Sequence, residues 1–541
     1  MRILLIGATG NFGGRLAALL VREPGVELIA GIRRESAGPA LVQAYGCEIA
    51  LIDRDSVTAT SLAPLRINLV IDASGPFQQI DTNLVEACIG AGVHYCDIAD
   101  GRRFVNDIKH FDDVAKAAGV AVISGASSTP ALSDAVVSHL TKDWQHIDKI
   151  RVAISPSNRQ KRGRAVVAAI LMGVGQKLEL FRLGGWRASF GWGDMRRISF
   201  PSVGRRWASL CDTPDLDLLV TRYAPRVEAS FYASLELSVM HVGLAFLGLF
   251  VRLRLLRSVL PLAGLLSWVA DRLEGYGNDC GGMAVDVQGQ ARDGEACYSR
   301  WWLAAKGNIG PNVPILAALG IARQLRDGEL QWRGARPCVG FLDLASFERD
   351  FTALGIGTGT EVSPPQVAAF RAALGSGFDQ LPIPTQLIHS PVTSALWQGE
   401  GTAQIGSKPF ARLIAWAFSF PNAPEPAALT VIIEQQPDGS EEWHRIWPAQ
   451  IMRSRMANPR HGSIEEHFGP FAFTLGLTEH SEGLDMKLLH ATLWGIRLPR
   501  FALPEIAATE RAQRDRHLFD VAVALPIIGR LVHYKGWLAS T

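Results

Sequence analysis

Several kinds of residue and motif are scarce in this chain of 541 residues, and each absence removes a class of function. The seven cysteines are scattered with no Cys-x-x-Cys pair, so neither a disulfide framework nor a zinc knuckle is indicated. A formal net charge of +2 leaves no basic excess for nucleic acid as the main partner. No HExxH or GxSxG motif occurs, which removes the commonest hydrolase patterns. None of the seven tyrosines has Lys four residues later, so the Tyr–Lys proton relay of short-chain dehydrogenases is missing. "RHGSIEEHF" sets His461 and His467 six residues apart, poor spacing for two ligands on one helical face, and no metal is expected. The opening "MRILLIGATG" reads directly as a strand without a cleavage region, and the expected setting is a reducing cytoplasm.

Long apolar runs are also missing. Leu237–Val251 carries no charge, and a second run reaches Ala270 after Arg252, Arg254 and Arg257. Each is shorter than the roughly 18 residues that span a bilayer. Three readings stay open: a buried helical hairpin, a homodimer face, or two helices lying in a membrane interface with the arginines at the headgroups.

What is present begins with alternation. Short apolar runs at Ile3–Ile6, Glu27–Ile32, Glu48–Ile52, Leu69–Ala73, Tyr95–Ile98 and Ala121–Ile123 alternate with helical patterns such as Asn83–Ala91 and Phe104–Ala118. Strand and helix in this order imply a parallel sheet covered on both faces. "LLIGATGNFGG" then puts Gly7, Gly10 and Gly13 at the first strand-to-helix turn, with Thr9, Asn11 and Phe12 between them. This is the Rossmann arrangement: one glycine for the turn, one for approach to a pyrophosphate, one for helix packing. An NAD site usually carries an acid about 20 residues later, at the end of the second strand. Here "GIRRES" offers Arg33 and Arg34, which suit a 2′-phosphate, so NADP(H) is the expected cofactor.

Three further segments, "VIDASGPFQQ", "VHYCDIADGRRF" and "SGASSTPALSDAVV", match in order and spacing the saccharopine dehydrogenase-like NADP-binding family. More weakly, "RGRAVVAAIL", "CDTPDLDLL", "GNIGPNVPILAALGIARQL" and "GARPCVGFLDLASFERDF" resemble that family's second domain and its return to the first. The resemblance covers about 350 residues and implies a hydride-transfer fold. It places Ser74, Gly75 and Pro76 beside the nicotinamide, Asp97 at the substrate cleft, and Gly125 and Pro130 in a loop facing the substrate. Two departures stand out. Asp100-Gly101 occupies the place of a Gly-Glu pair in the enoyl-reductase-like branch, and Ser127 and Ser128 replace a loop acid of the amino-acid-acting members.

An imine reductase needs an acid within reach of nitrogen and a clamp for carboxylates. Tyr95, Asp97 and Asp100 are the candidate proton handlers; Arg102, Arg164, Ser127 and Ser128 are candidate substrate contacts. Asp97 and the two serines have plainer alternatives: helix capping for Asp97, turn formation for the serines.

"ALGIGTGTEVSPPQVAAF" reads as a linker and short helix, with a boundary near residue 365. Beyond it, Pro426–Trp447, Phe471–Ile496 and His517–Leu538 read as hairpins, together a curved antiparallel sheet or half-barrel. Such a shape can enclose an apolar ligand or serve as a packing module. The order of "GFDQLPIPTQLIH", "EEWHRIW", "EEHFGPF" and "LVHYKGWL" resembles an uncharacterised bacterial domain that follows saccharopine dehydrogenase-like domains; His389, Trp443, Arg445, Glu466 and Tyr534 are its motif positions here.

The expected architecture is therefore a Rossmann-type domain over residues 1–125, completed by about 305–352, an inserted α/β domain over 126–304, and a β-rich domain over 365–541. The expected function is NADP(H)-dependent hydride transfer to or from a C=N, C=C or C=O bond of a small molecule, an apolar one included. The competing expectation is a non-catalytic dinucleotide-binding protein at a membrane interface or scaffold.

Overall fold

The computed structural model describes residues 1–78, 81–159 and 163–540, leaving aside the side chains of Arg164 and Ala165. Residues 1–142, 149–287 and 299–361 form one compact unit; residues 143–148, 288–298 and 362–541 form a second.

In the first unit, β1 (Arg2–Ile6), β2 (Glu27–Ile32), β3 (Glu48–Leu51), β4 (Leu69–Asp72), β5 (His94–Asp97) and β6 (Ala121–Ser124) build a parallel sheet. A seventh strand, Gly334–Pro337, joins β6 in parallel, giving the order seventh-β6-β5-β4-β1-β2-β3. The inner strands are apolar on both faces: Ile3, Leu4 and Leu5 are fully buried, as a doubly covered sheet requires. Helix α1 (Asn11–Leu20) lays Gly13, Leu16, Ala17 and Leu20 against it, the i, i+3, i+4, i+7 spacing of one helical face. Burying each leucine stabilises the fold by about 1.5–3 kcal/mol.

The segment expected as one helix over Phe104–Ala118 is broken. Arg102–Asp107 and Asp112–Ala117 are α-helical and Ile108–Phe111 is a 3₁₀ turn. The Asp112 carboxylate accepts the Ala335 N–H at 2.9 Å, so the second helix starts where it can tie down the seventh strand.

A mixed nine-stranded sheet completes this part of the chain. Its last strand is Gly357–Ser363, inside the stretch that reads as a linker. The apolar run 237–270 forms helices Ser238–Arg252 and Ala263–Leu273, and among the described residues no helix is long and apolar enough to cross a membrane. The first helix buries His241, Leu244, Gly248 and Val251, and exposes Val239, Val242, Phe246 and Leu249.

The second unit is the antiparallel β-rich domain expected, and its curvature runs to completion: it is a closed ten-stranded barrel. The strands are Ser394–Ile405, Ala423–Gln435, Glu441–Ile446, Ile451–Arg460, Ser463–Phe468, Phe471–His480, Gly483–Leu493, Glu505–Gln513, Arg516–Leu525 and Gly529–Ser540. Each pairs with the next, and the last pairs with the first. Glycine makes that closing seam. A Cβ on Gly399 would collide with the Trp537 carbonyl, and one on Gly536 with the Glu400 carbonyl. Helix Pro409–Ala417 connects the first two strands.

Candidate functional site

The carboxyl ends of β1, β4 and β5 meet where the strand order reverses, the usual ligand crevice of an open α/β sheet. The turn after β1 can only be glycine. Gly7 has φ +83°, and a Cβ there would lie 2.7 Å from the Ala73 carbonyl oxygen. A Cβ on Gly13 would strike the Gly7 carbonyl itself. The Gly10 N–H donates to Gly7 O at 2.8 Å, and Gly10 caps α1 without a side chain. Thr9 is exposed, Asn11 and Phe12 are half-buried, and no acid occupies the helix's first turn. The first amides of α1 thus offer an uncapped positive end suited to a pyrophosphate.

Arg33 and Arg34 follow β2 directly and are exposed; among the described residues neither makes an ion pair. Ser74, Gly75 and Pro76 are half-buried after β4. Asp72 anchors them: its Oδ1 accepts the Ser74 N–H at 2.9 Å and hydroxyl at 2.5 Å. A buried arginine that the sequence reading missed, Arg54, holds the other oxygen of Asp72 at 2.7 Å. Its sequence context, "LIDRDSV", gave no signal, because the partner lies 18 residues on.

The proton handlers separate sharply. Tyr95 is fully buried, its hydroxyl has no hydrogen-bond partner among the described residues, and burial pushes its pKa well above the ordinary value, so it does not serve as a proton donor to a cleft. Asp97 is fully buried too. Its Oδ1 accepts from Gly125 N at 2.7 Å, Ala99 N at 2.9 Å and Ser124 Oγ at 3.0 Å. It therefore clasps the turns after β5 and β6, a capping role on loops rather than on a helix. Burial pushes it up to about 6, against those hydrogen bonds. Asp100 differs: it is exposed to solvent and yet surrounded by protein mass, the position of a group on a concave wall. That partial dehydration raises its pKa, and Gln78 Nε2 donates to it at 3.1 Å.

Arg102 is not free for substrate. Its guanidinium is held by both oxygens of Asp217, by Asp212 at 3.0 Å and by the Glu179 carbonyl at 2.8 Å. Ser127 is buried, and its N–H donates to Gly125 O at 2.8 Å; Ser128 opens the irregular turn Ser128–Leu132. Both serines shape that turn. The Arg164 side chain lies outside the described residues. An acid does meet this turn from elsewhere: buried Asp215 accepts the Ser133 hydroxyl at 3.0 Å. Burial, aided by nearby Asp134, pushes Asp215 up to about 7. It lies in "CDTPDLDLL", a segment singled out by the sequence, although nothing there marks Asp215 over its neighbours.

The nine-stranded sheet adds a cluster spread over four strands. Arg182 bonds Asp194 at 2.7 Å, Glu228 at 3.2 Å and the Tyr232 hydroxyl at 2.7 Å. Burial alone would raise Glu228; Arg182, Lys149, Arg151 and Arg196 together hold it well below the usual range. In the barrel, Glu434, Glu442 and His444 bring possible ligand atoms within 4.8 Å of one another, a grouping the sequence reading did not note.

Two family models match the chain. Residues 3–123 match the saccharopine dehydrogenase NADP binding domain, and residues 381–538 match a domain of unknown function, DUF4166. The amino-terminal sheet is thus a saccharopine dehydrogenase-type dinucleotide-binding domain. No curated protein matches the chain. Among solved structures, it is similar to apo saccharopine dehydrogenase (L-Glu forming) from Saccharomyces cerevisiae, at 10% identity and a TM-score of 0.49, over 67% of this chain and 99% of that one. It is also similar to homospermidine synthase from Legionella pneumophila, solved in complex with NAD, at 13% identity and a TM-score of 0.42, over 66% of this chain and 91% of that one. No activity is read from either likeness.

Proposed function

We propose that the protein is an NADP(H)-dependent oxidoreductase acting on a C=N, C=C or C=O bond. The observation that carries this reading is the pair Arg33 and Arg34, exposed at the end of β2 and without an ion pair among the described residues, beside a turn that only glycine can make. The turn Gly7–Gly10 and the first amides of α1 would receive the pyrophosphate, the two guanidiniums the 2′-phosphate. Ser74–Pro76 would border the nicotinamide. NADP(H), when bound, supplies or accepts the hydride. Asp100 is the carboxyl placed to exchange a proton with solvent, and its raised pKa keeps more of it protonated near neutrality than an ordinary aspartate.

The test is a fluorescence titration with NADPH and with NADH, in the parent and in Arg33→Ala/Arg34→Ala. The reading expects NADPH to bind tighter and the double variant to lose at least tenfold of that affinity while NADH binding changes little. Equal affinities in the parent, or an unaltered double variant, would overturn the NADP assignment.

One observation favours a second reading, a dinucleotide-binding protein at a membrane surface. Val239, Val242, Phe246, Leu249, Leu265 and Trp268 expose an apolar face on the two helices of 238–273. Arg252, Arg254, Arg257 and Arg272 are exposed around it, as an interfacial element on anionic lipid would need. Turnover of NADPH with imines, enals or oxo acids separates an enzyme working at that surface from a binder without chemistry.

A further inference from the structure

The barrel has an interior of its own. Strand alternation turns Trp443, Arg445 and Trp447 to one side, inward, and the lumen they face holds a cavity of about 280 Å3. Small-molecule sites occupy roughly 300–1,000 Å3, so this cavity falls just below that range and suits a slender molecule. Most of the remaining wall is apolar, including Phe468, Phe471 and Phe473. Up-and-down barrels of this size either pack such space with side chains or keep it for a ligand.

A single polar cluster is built into that wall. Arg445 Nη2 lies 3.4 Å from Glu466, its Nη1 donates to Ser454 Oγ at 2.9 Å, and its guanidinium stands 5.2 Å over the Trp443 ring. Glu510 shares a 2.6 Å hydrogen bond with His389, and His517 Nε2 is 3.9 Å from the same carboxylate oxygen. Tyr534 faces Arg445, Glu466 and Glu510, and burial pushes its hydroxyl up to about 12, so it stays a donor. Among the described residues, two atoms of the wall have no hydrogen-bond partner: Nδ1 of His517, 2% exposed, and Nε1 of Trp447, 3% exposed. Buried polar atoms are normally satisfied, so these two mark a place where a further polar atom belongs.

The charges decide what that atom is. Glu466 already pairs Arg445, and Glu510 adds a second carboxylate. Burial pushes His517 down to about 4, so it is neutral near pH 7. No cation is left over, and an acidic headgroup would be desolvated without a counter-charge. The groups on offer are neutral: an indole N–H, a phenol O–H and an imidazole.

The geometry points to a binding site in the barrel lumen for one molecule with an apolar body and an uncharged oxygen, a hydroxyl or carbonyl, at its polar end. The site stands on the barrel alone, independently of what the dinucleotide domain binds.

The experiment uses the full chain without nucleotide. Nile red, an uncharged environment-sensitive dye, is titrated to saturation and then displaced with 1-dodecanol, dodecanal and dodecanoate. Saturation at one dye per chain is expected, with the alcohol and aldehyde displacing it at least tenfold more readily than the acid. Ala508→Phe, which fills the lumen, is expected to weaken the dye at least tenfold and leave the NADPH titration unchanged. Glu466→Gln unpairs Arg445 and is expected to swing the preference at least tenfold toward dodecanoate. Should Ala508→Phe lose its folded circular dichroism, the swing in Glu466→Gln decides. Absence of saturable binding, a parent that prefers dodecanoate, or folded variants with unaltered binding would each overturn the proposal.

Discussion

Arg54 Nε donates to Asp72 Oδ2 at 2.7 Å, and both side chains are shut away from water. The pair ties the segment after β3 to the base of the Ser74–Pro76 loop. Asp72→Ala strands a buried guanidinium, and the expected loss is about 3–5 kcal/mol. Arg54→Met combined with Asp72→Asn is expected to recover most of it, because no uncompensated charge remains and Ser74 keeps an acceptor. Urea unfolding of the parent and the two variants checks this.

Gly13 and Gly14 are adjacent and should behave very differently. A methyl on Gly13 meets the Gly7 carbonyl, whereas one on Gly14 has Tyr45 Oη at 3.3 Å and Ala8 O at 3.4 Å as its nearest neighbours. Gly13→Ala is expected to weaken NADPH at least tenfold, about 1.4 kcal/mol. Gly14→Ala is expected to stay within about threefold, well under that 1.4 kcal/mol. The same fluorescence titration reads both.

Asp215 gives a pH dependence with a definite sign. Its folded pKa, about 7, lies above the 3.8 of an unperturbed aspartate. The folded state therefore holds this proton more tightly than the unfolded chain. Its stabilising contribution is full below about pH 4 and is lost as pH rises through about 7. Asp215→Asn is expected to flatten stability across that window relative to the parent, read from denaturation midpoints at a series of pH values. An unchanged slope would show that Asp215 titrates normally.

The exposed faces of helices Ser238–Arg252 and Ala263–Leu273 can be charged without touching the core, since Phe246 is 59% and Trp268 56% exposed. Phe246→Glu/Trp268→Glu is expected to leave the circular dichroism intact and to cut co-sedimentation with phosphatidylserine-containing vesicles several-fold. Parent protein that ignores vesicles at low salt would exclude the interfacial reading.

Local pattern carried much of the fold. The starts of β2, β3, β4 and β6, the glycine turn and the hairpins around Asp438 and Gly483 all depend on neighbours in sequence, and they lie where periodicity and turn residues put them, while β1 and β5 begin one residue earlier. What the pattern could not convey was long-range. Arg102 finds Asp217 at a separation of 115 residues, so an arginine in a motif looked available when it was already paired. Asp97 and Asp100 stand three apart in one motif; alternation does not say that one is fully buried and the other faces solvent. The barrel closes through a seam between its first and last strands, and no local signal distinguishes that from an open half-barrel. His389, Trp443, Arg445, Glu466 and Tyr534 were visible as motif positions, but the convergence of the last four on one lumen, with His389 bonded to Glu510 of its wall, required the register of the strands.

The second compact unit is drawn from three separate stretches of the chain, 143–148, 288–298 and 362–541. Within it the Thr393 hydroxyl donates to Asp148, and the Tyr298 hydroxyl to Gln435 at 3.2 Å. On the ribosome, then, the first pieces of the carboxy-terminal unit emerge more than two hundred residues before its last strand, and must wait for it. A gene cut near codon 365 would yield a downstream product that lacks its own earliest parts, so the two halves of this protein cannot be exchanged between genes as simple end-to-end cassettes.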